Sequence, residues 1–202
     1  MTPATSAALP EKRTPYDAAS LLDVAVRVFN ERGFDGTSME DLARAAGITK
    51  SSFYHHVEGK QALLAAACDR ALDALFAIRD EPPTQRGRAV DRFEHVLRRT
   101  AVTLLAELPY VTLLLRVRGN TPLEQAVLAR RREFDRFTAQ LLAEAAADGD
   151  LRADIDPSLA TRLAFGLLNS VTEWYLPGRG TPSDAVADAC VEMVLRGLRP
   201  QP

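Results

Sequence analysis

Apolar residues recur along this chain at intervals of three and four, and no stretch alternates convincingly with a period of two, so the pattern predicts helices throughout. Thr14-Pro15 offers a cap and then a proline at the first helical position, after which Ala18, Leu21, Leu22, Ala25, Val28 and Phe29 keep helical spacing until Gly33. Thr37-Ser38-Met39-Glu40 reads as a capping box, with Thr37 bonding the first-turn amides and Glu40 reaching back. It opens a helix that runs through Ala46 and stops at Gly47. Thr49 caps a third helix to about His56. A fourth begins near Gly59-Lys60 and carries Leu63, Leu64, Ala67, Ala71, Leu75 and Ile78 to a break at Pro82-Pro83.

Beyond that break the helices lengthen. Residues 84–107 set Val90, Phe93, Leu97, Ala101, Leu104 and, just beyond, Leu108 on one stripe, which Pro109 closes. A short piece over 110–118 leads to Gly119-Asn120, and Thr121-Pro122 starts a helix carrying Leu123, Val127, Phe134, Phe137 and Leu141 to about Ala147. Asp156-Pro157 and Thr181-Pro182 mark the last two starts. The expectation is an all-α chain of about nine helices without a repeat of fixed period. It divides into an N-terminal arm (1–13), a compact three-helix head (14–60) and a second helical module (61–202).

Two short helices joined by a glycine turn match the geometry of the helix-turn-helix, whose second helix lies in the major groove of DNA. Leu42, Ala43, Ala46, Ile48, Phe53 and Val57 can form a small core with the first helix. That leaves Lys50, Ser51, Ser52, Tyr54 and His55 outside, all with donors suited to phosphates and base edges. Lys60 stands at the start of the fourth helix, where its charge and the open helix-terminal amides can both meet a phosphate.

Charge neither supports nor opposes this reading. The 202 residues carry a formal net charge of -2, and seven basic against eight acidic residues leave positions 1–60 at -1, so any DNA contact must rest on a local surface. Cys68 and Cys190 are the only cysteines, each in an alanine-rich helical stretch, which leaves no disulfide framework and no CxxC metal site. The chain opens without a signal-peptide core, and its most apolar run, VTLLLRV, is broken by Arg116. A reducing cytoplasm is the expected setting, away from any membrane. The histidines are His55, His56 and His95, and no HExxH, GxSxG, glycine-rich phosphate loop or Cys-His arrangement accompanies them. No catalytic constellation, metal site or cofactor is expected.

The segment GFDGTSMEDLARAAGITKSSFYHHVEGKQALL closely resembles the N-terminal signature of TetR-family transcriptional regulators. The resemblance covers about a quarter of the chain, with Val57 where the family more often has phenylalanine. It implies that Thr37, Tyr54 and Lys60 hold phosphates. Thr49, Lys50, Ser51, Ser52 and His55 would then form the recognition surface. It also implies that the last two helices, about 157–175 and 182–198, pair with their copies in a second subunit. Leu163, Leu167, Val171 and Val194 are the candidates for that interface.

A helix apolar on all sides, as 157–175 is, needs burial on more than one side, which a dimer together with a ligand cavity supplies and a monomeric core would also supply. Leu97, Phe137, Leu141, Asn169 and Trp174 are candidate ligand contacts, Asn169 because an amide in so apolar a helix wants a partner. WYLPGRG resembles a segment of family members that respond to acyl-coenzyme A thioesters, with Arg116, Arg118 and Arg179 able to meet phosphates. The expected protein is a homodimeric repressor that binds an inverted repeat in double-stranded DNA and is released by a small, largely apolar effector. The alternative is a helical adaptor, or an activator, without a small-molecule effector.

Overall fold

Most of the helices start where the chain offers a side-chain cap or a proline, and the first two end at a glycine. The computed structural model describes residues 17–200, so the Thr14-Pro15 start and the 1–13 arm lie outside the described residues. Among the described residues there are ten α-helices, a 3-10 turn at Ile78–Asp80 and no strand. The helices are α1 (Ala18–Arg32), α2 (Met39–Ala46), α3 (Lys50–Tyr54), α4 (Lys60–Ala77) and α5 (Pro82–Gln85). They continue with α6 (Ala89–Ala106), α7 (Leu108–Leu115), α8 (Pro122–Ala147), α9 (Pro157–Trp174) and α10 (Ser183–Leu198).

Five boundaries differ from the sequence expectation, each for a local reason. Asp17 caps α1 through Ser20. Ser38, not Thr37, caps α2, in a reciprocal box with Asp41 rather than Glu40. Pro82-Pro83 does not merely break a helix; the pair opens the short α5, because proline costs nothing in a first turn whose amides lack partners anyway. Gly87, at φ 101°, then turns the chain so that α6 starts at Ala89 instead of Thr84. Pro109 likewise sits in the first turn of α7 rather than ending the helix before it.

α4 is the shared element. It packs on α1 of the N-terminal unit and on α7, α8 and α6 of the rest. α6 also packs on α8 and α10, and α8 on α9. One continuous core runs from Leu21, Phe29, Leu42 and Phe53 through Leu72 to Phe93, Leu97, Leu141 and Leu168. No helix among the described residues is long and apolar enough to cross a membrane.

Candidate nucleic-acid interface and interior cavity

α3 has five residues, too few to persist alone, since isolated helices below about 12–15 residues are marginal in water. Its position is imposed from both ends. Gly47, at φ 68°, takes the left-handed turn that closes α2, and the Thr49 hydroxyl accepts the Ser52 amide at 3.1 Å to start α3. Phe53 is fully buried and anchors the inner face. The outer face consequently carries Thr49, Lys50, Ser51, Tyr54 and His55, all exposed, with Ser52 half-buried between them. An ammonium, hydroxyls and an imidazole on one short convex helix can donate to phosphates and to base edges.

Two of the expected phosphate contacts are used differently. Thr37 is buried and its hydroxyl donates to the Gly33 carbonyl at 2.7 Å, so that proton is spent inside the turn. Lys60 is half-buried; its Nζ donates to the Phe34 carbonyl at 2.8 Å and lies 4.3 Å from the centre of the Phe34 ring. It thereby clamps the start of α4 to the α1–α2 loop. Gly59 gives that helix no side-chain cap, so the first amides of α4 remain open to an external acceptor.

Behind this unit, α7 is tied to α1 and α4 by polar groups. Tyr110 donates to Asp23 of α1 and accepts from Nη1 of Arg70 on α4 at 3.0 Å, while Arg70 also holds Glu107 at 2.8 Å and stacks over the Tyr110 ring. Burial, and then the bond to Asp23, pushes the Tyr110 hydroxyl up to about 12. Asn30 donates to the Pro109 carbonyl at 2.8 Å, and Arg116 donates to the Asn30 carbonyl at 2.6 Å. At the far end of α7, Glu124 accepts the amides of Asn120, Gly119 and Arg118, which lowers its pKa.

α4, α6, α7, α8 and α9 line a cavity of about 220 Å³ that opens to the surface beside Arg162 and Gly166. Its wall is mostly apolar, with Leu72 and Leu75 from α4, Leu114 from α7, and Phe134 and Phe165, whose rings stack at 5.9 Å. Set into it are Thr100, Arg131, Asp135, Arg162 and Asn169. The Thr100 hydroxyl is buried and has no hydrogen-bond partner. Burial lowers the Arg131 pKa and raises that of Asp135.

Of the five residues expected to line such a space, Asn169 does. Leu97 and Leu141 are buried among neighbouring helices instead. Phe137 is half-buried outside the cavity, beneath the Arg79 guanidinium at 5.0 Å, and Trp174 is 57% exposed at the end of α9. Helical spacing reports which face is buried, but not whether that face meets another helix or a void. The charged lining residues went unnoticed for a related reason: a sequence with arginines throughout α8 gives no sign of which ones turn inward.

The outer face of α9 is apolar and uncovered. Leu159 is 50% and Leu163 64% exposed, and Leu167, Ser170 and Trp174 continue the stripe at helical spacing, with Met193 of α10 also 64% exposed. Of the expected interface residues, Leu163 is on this surface, and Leu167 and Val194 are half-buried. Val171 is not available: it is 2% exposed and packs inward beside Leu104 and Val186. An apolar face of this kind marks an interaction surface.

Two family descriptions match the chain: "Bacterial regulatory proteins, tetR family" over residues 21–67, and "Tetracyclin repressor-like, C-terminal domain" over residues 86–198. The HTH-type transcriptional repressor KstR2 of Rhodococcus jostii (strain RHA1) is 30% identical over 203 residues, spanning 88% of this chain and 89% of that protein. SCO3833 of Streptomyces coelicolor A3, a member of the TetR transcriptional regulator family, superposes with a TM-score of 0.84 at 56% identity, covering 94% of each chain. AibR, in complex with isovaleryl coenzyme A and operator DNA, shares the fold with a TM-score of 0.72 at 24% identity over 87% of this chain and 96% of its own. With both segments matched in chain order and a relative aligned over nearly its full length, this chain belongs to the tetR family of bacterial regulatory proteins.

Proposed function

We propose that the protein is a homodimeric, one-component transcriptional repressor that binds an inverted-repeat operator in double-stranded DNA. A small, largely apolar effector, of the acyl-coenzyme A thioester type, would release it. Residues 14–60 act as the head and 61–202 as the effector-binding and dimerising module. The observation that carries the reading is α4, which starts under the head at Lys60 and ends as a wall of the cavity at Leu72 and Leu75. In the head, Thr49, Lys50, Ser51, Tyr54 and His55 meet the groove, and the open amides of α4 meet a phosphate. The apolar stripe of α9 with Met193 of α10 joins the two copies, so that paired heads face successive turns of one side of the duplex.

The switch follows from the packing. Leu72 and Leu75 lie about 18–22 Å along α4 from Lys60 at ~1.5 Å per residue, so a small tilt at the cavity displaces the head. α7 adds a second route, because its Leu114 borders the cavity and its Tyr110 and Pro109 are bonded to α1. An effector acts only through unequal affinity for the two head separations, and a typical coupling of about 1–3 kcal/mol weakens operator binding roughly 5- to 150-fold. The fold accommodates ligands of this class, as AibR with isovaleryl coenzyme A illustrates. The experiment is to sequence the genomic DNA fragments the purified dimer retains, then screen acyl-coenzyme A esters for their release. Retention of random fragments without a shared inverted repeat would refute the reading.

A further inference from the structure

Among the described residues, 11 of the 21 arginines hold a carboxylate. On the α4-facing side of α8, Arg130 holds Asp69 at 2.7 Å and Asp73 at 2.6 Å, and nearby Arg79 holds Glu133 at 2.8 Å and Arg92 holds Glu144 at 3.0 Å. Of the arginines without one, four cluster on the side shared by α8 and α9. Among the described residues, Arg131, Arg132, Arg136 and Arg162 have no carboxylate oxygen within ion-pair distance. Arg132 donates only to the Leu128 carbonyl of its own helix, at 3.1 Å.

Their positions form a sequence of surfaces. Arg131 and Arg162 line the interior cavity, and Arg162 together with Asp135 also lines a separate hollow of about 290 Å³, where Arg132, Arg136 and Ser158 complete the wall. The two hollows therefore share a boundary, apolar on one side and cationic on the other. Asp135 is the one carboxylate between them, and burial favours its neutral form. The N-terminal turn of α9, which contains Ser158, adds its positive dipole end to the same hollow. In the cavity wall the half-buried Asn169 carries a side-chain amide that is not used within the protein and can donate to an oxygen placed there.

We infer that the effector has a small apolar body, seated in the cavity with a carbonyl-type oxygen on the Asn169 amide, and a phosphate-bearing head held outside it by Arg132, Arg136 and Arg162. This rests on the effector-controlled reading above and sharpens it. The free acid would be a poor ligand, and the phosphates would bind here rather than at Arg116, Arg118 or Arg179. A cavity of 220 Å³ lies below the ~300–1,000 Å³ usual for drug-sized ligands, so the body is a short acyl group. Arginine suits phosphate because its planar fork donates two parallel hydrogen bonds.

The test uses the full-length dimer and titration calorimetry with free coenzyme A, with butyryl-, isovaleryl- and hexanoyl-coenzyme A, and with the matching free acids. Free coenzyme A should bind, its thioesters should bind more tightly, and added salt should weaken both. The double substitution Arg132→Glu with Arg136→Glu should weaken them at least tenfold. Arg132→Gln with Arg136→Gln should fall between, and Arg118→Ala should bind as wild type; melting and dimer mass confirm folding. The assignment is overturned if free coenzyme A fails to bind at millimolar concentration, or if the charge-reversed dimer binds it as wild type does. Free acids that release operator from wild type and variant alike would also overturn it, while leaving effector control intact. Thioesters that bind tightly yet leave operator bound would instead refute effector control and leave this site standing.

Discussion

Replacing Phe53 by alanine tests whether α3 exists only because the rest of the head holds it. The ring is fully buried and is the one buried side chain of a five-residue helix. Phe→Ala at such sites costs about 3–5 kcal/mol. If local opening of the head normally costs about 3 kcal/mol, a 4 kcal/mol loss leaves each head folded roughly one time in six. An operator that needs both heads is then bound about 40-fold more weakly, because apparent affinity scales with the competent fraction. Phe53→Leu, which keeps most of the volume and costs about 1–1.5 kcal/mol, should leave operator binding within about twofold of wild type. The assay is fluorescence anisotropy on a labelled operator duplex, with sedimentation to show that the dimer persists. A Phe53→Ala dimer that binds operator within threefold of wild type would refute the account of how α3 is positioned.

Other outcomes follow from the same contacts. Thr37→Val should cost about 1 kcal/mol in stability, from the lost bond to Gly33, and leave the salt dependence of DNA binding unchanged; Lys50→Ala should reduce that slope by about one per head. Leu163→Asp should raise the dimer dissociation constant about a thousandfold or more while the single chain keeps its helicity, because Leu163 is exposed there and a buried unpaired charge costs several kcal/mol. Val171→Asp should instead unfold the chain, and the two are separated by circular dichroism and sedimentation. The raised Tyr110 pKa means the protonated hydroxyl is favoured by folding, so its contribution is fully present below about pH 10. It is lost as the pH rises toward about 12. Tyr110→Phe should therefore flatten the alkaline fall in melting temperature over that window, and at neutral pH cost about 1 kcal/mol, moderated because Arg70 and Asp23 can rehydrate.

What the sequence revealed best was what local chemistry decides. Gly47 needs a left-handed turn and Thr49 supplies a cap, so the α2–α3 junction and the outward set around Tyr54 follow from neighbouring residues alone. The slip from Ser38 to Thr37 shows where locality ends: two adjacent hydroxyls can both cap α2, and the Gly33 carbonyl decides between them by taking Thr37. Pro82 and Pro109 read as stops because proline ends helices from inside and starts them from the first turn, and spacing does not tell which. Val171 was misplaced because a helix apolar all round carries no phase. Arg131 and Asp135 in the cavity wall were invisible, since charged residues on a polar helix face default to solvent until the packing of α8 on α9 half-buries them, and the exposed Arg162 reaches the same rim from α9.

The central claim is that one chain couples operator and effector through α4 and α7. The most direct measurement is the affinity of the dimer for isovaleryl-coenzyme A, or whichever of its homologues binds most tightly, alone and with saturating operator DNA. Linkage requires operator to weaken thioester binding by the same factor by which thioester weakens operator binding, and that factor is expected between about 5 and 150. Equal thioester affinity for the free and the operator-bound dimer would contradict the account.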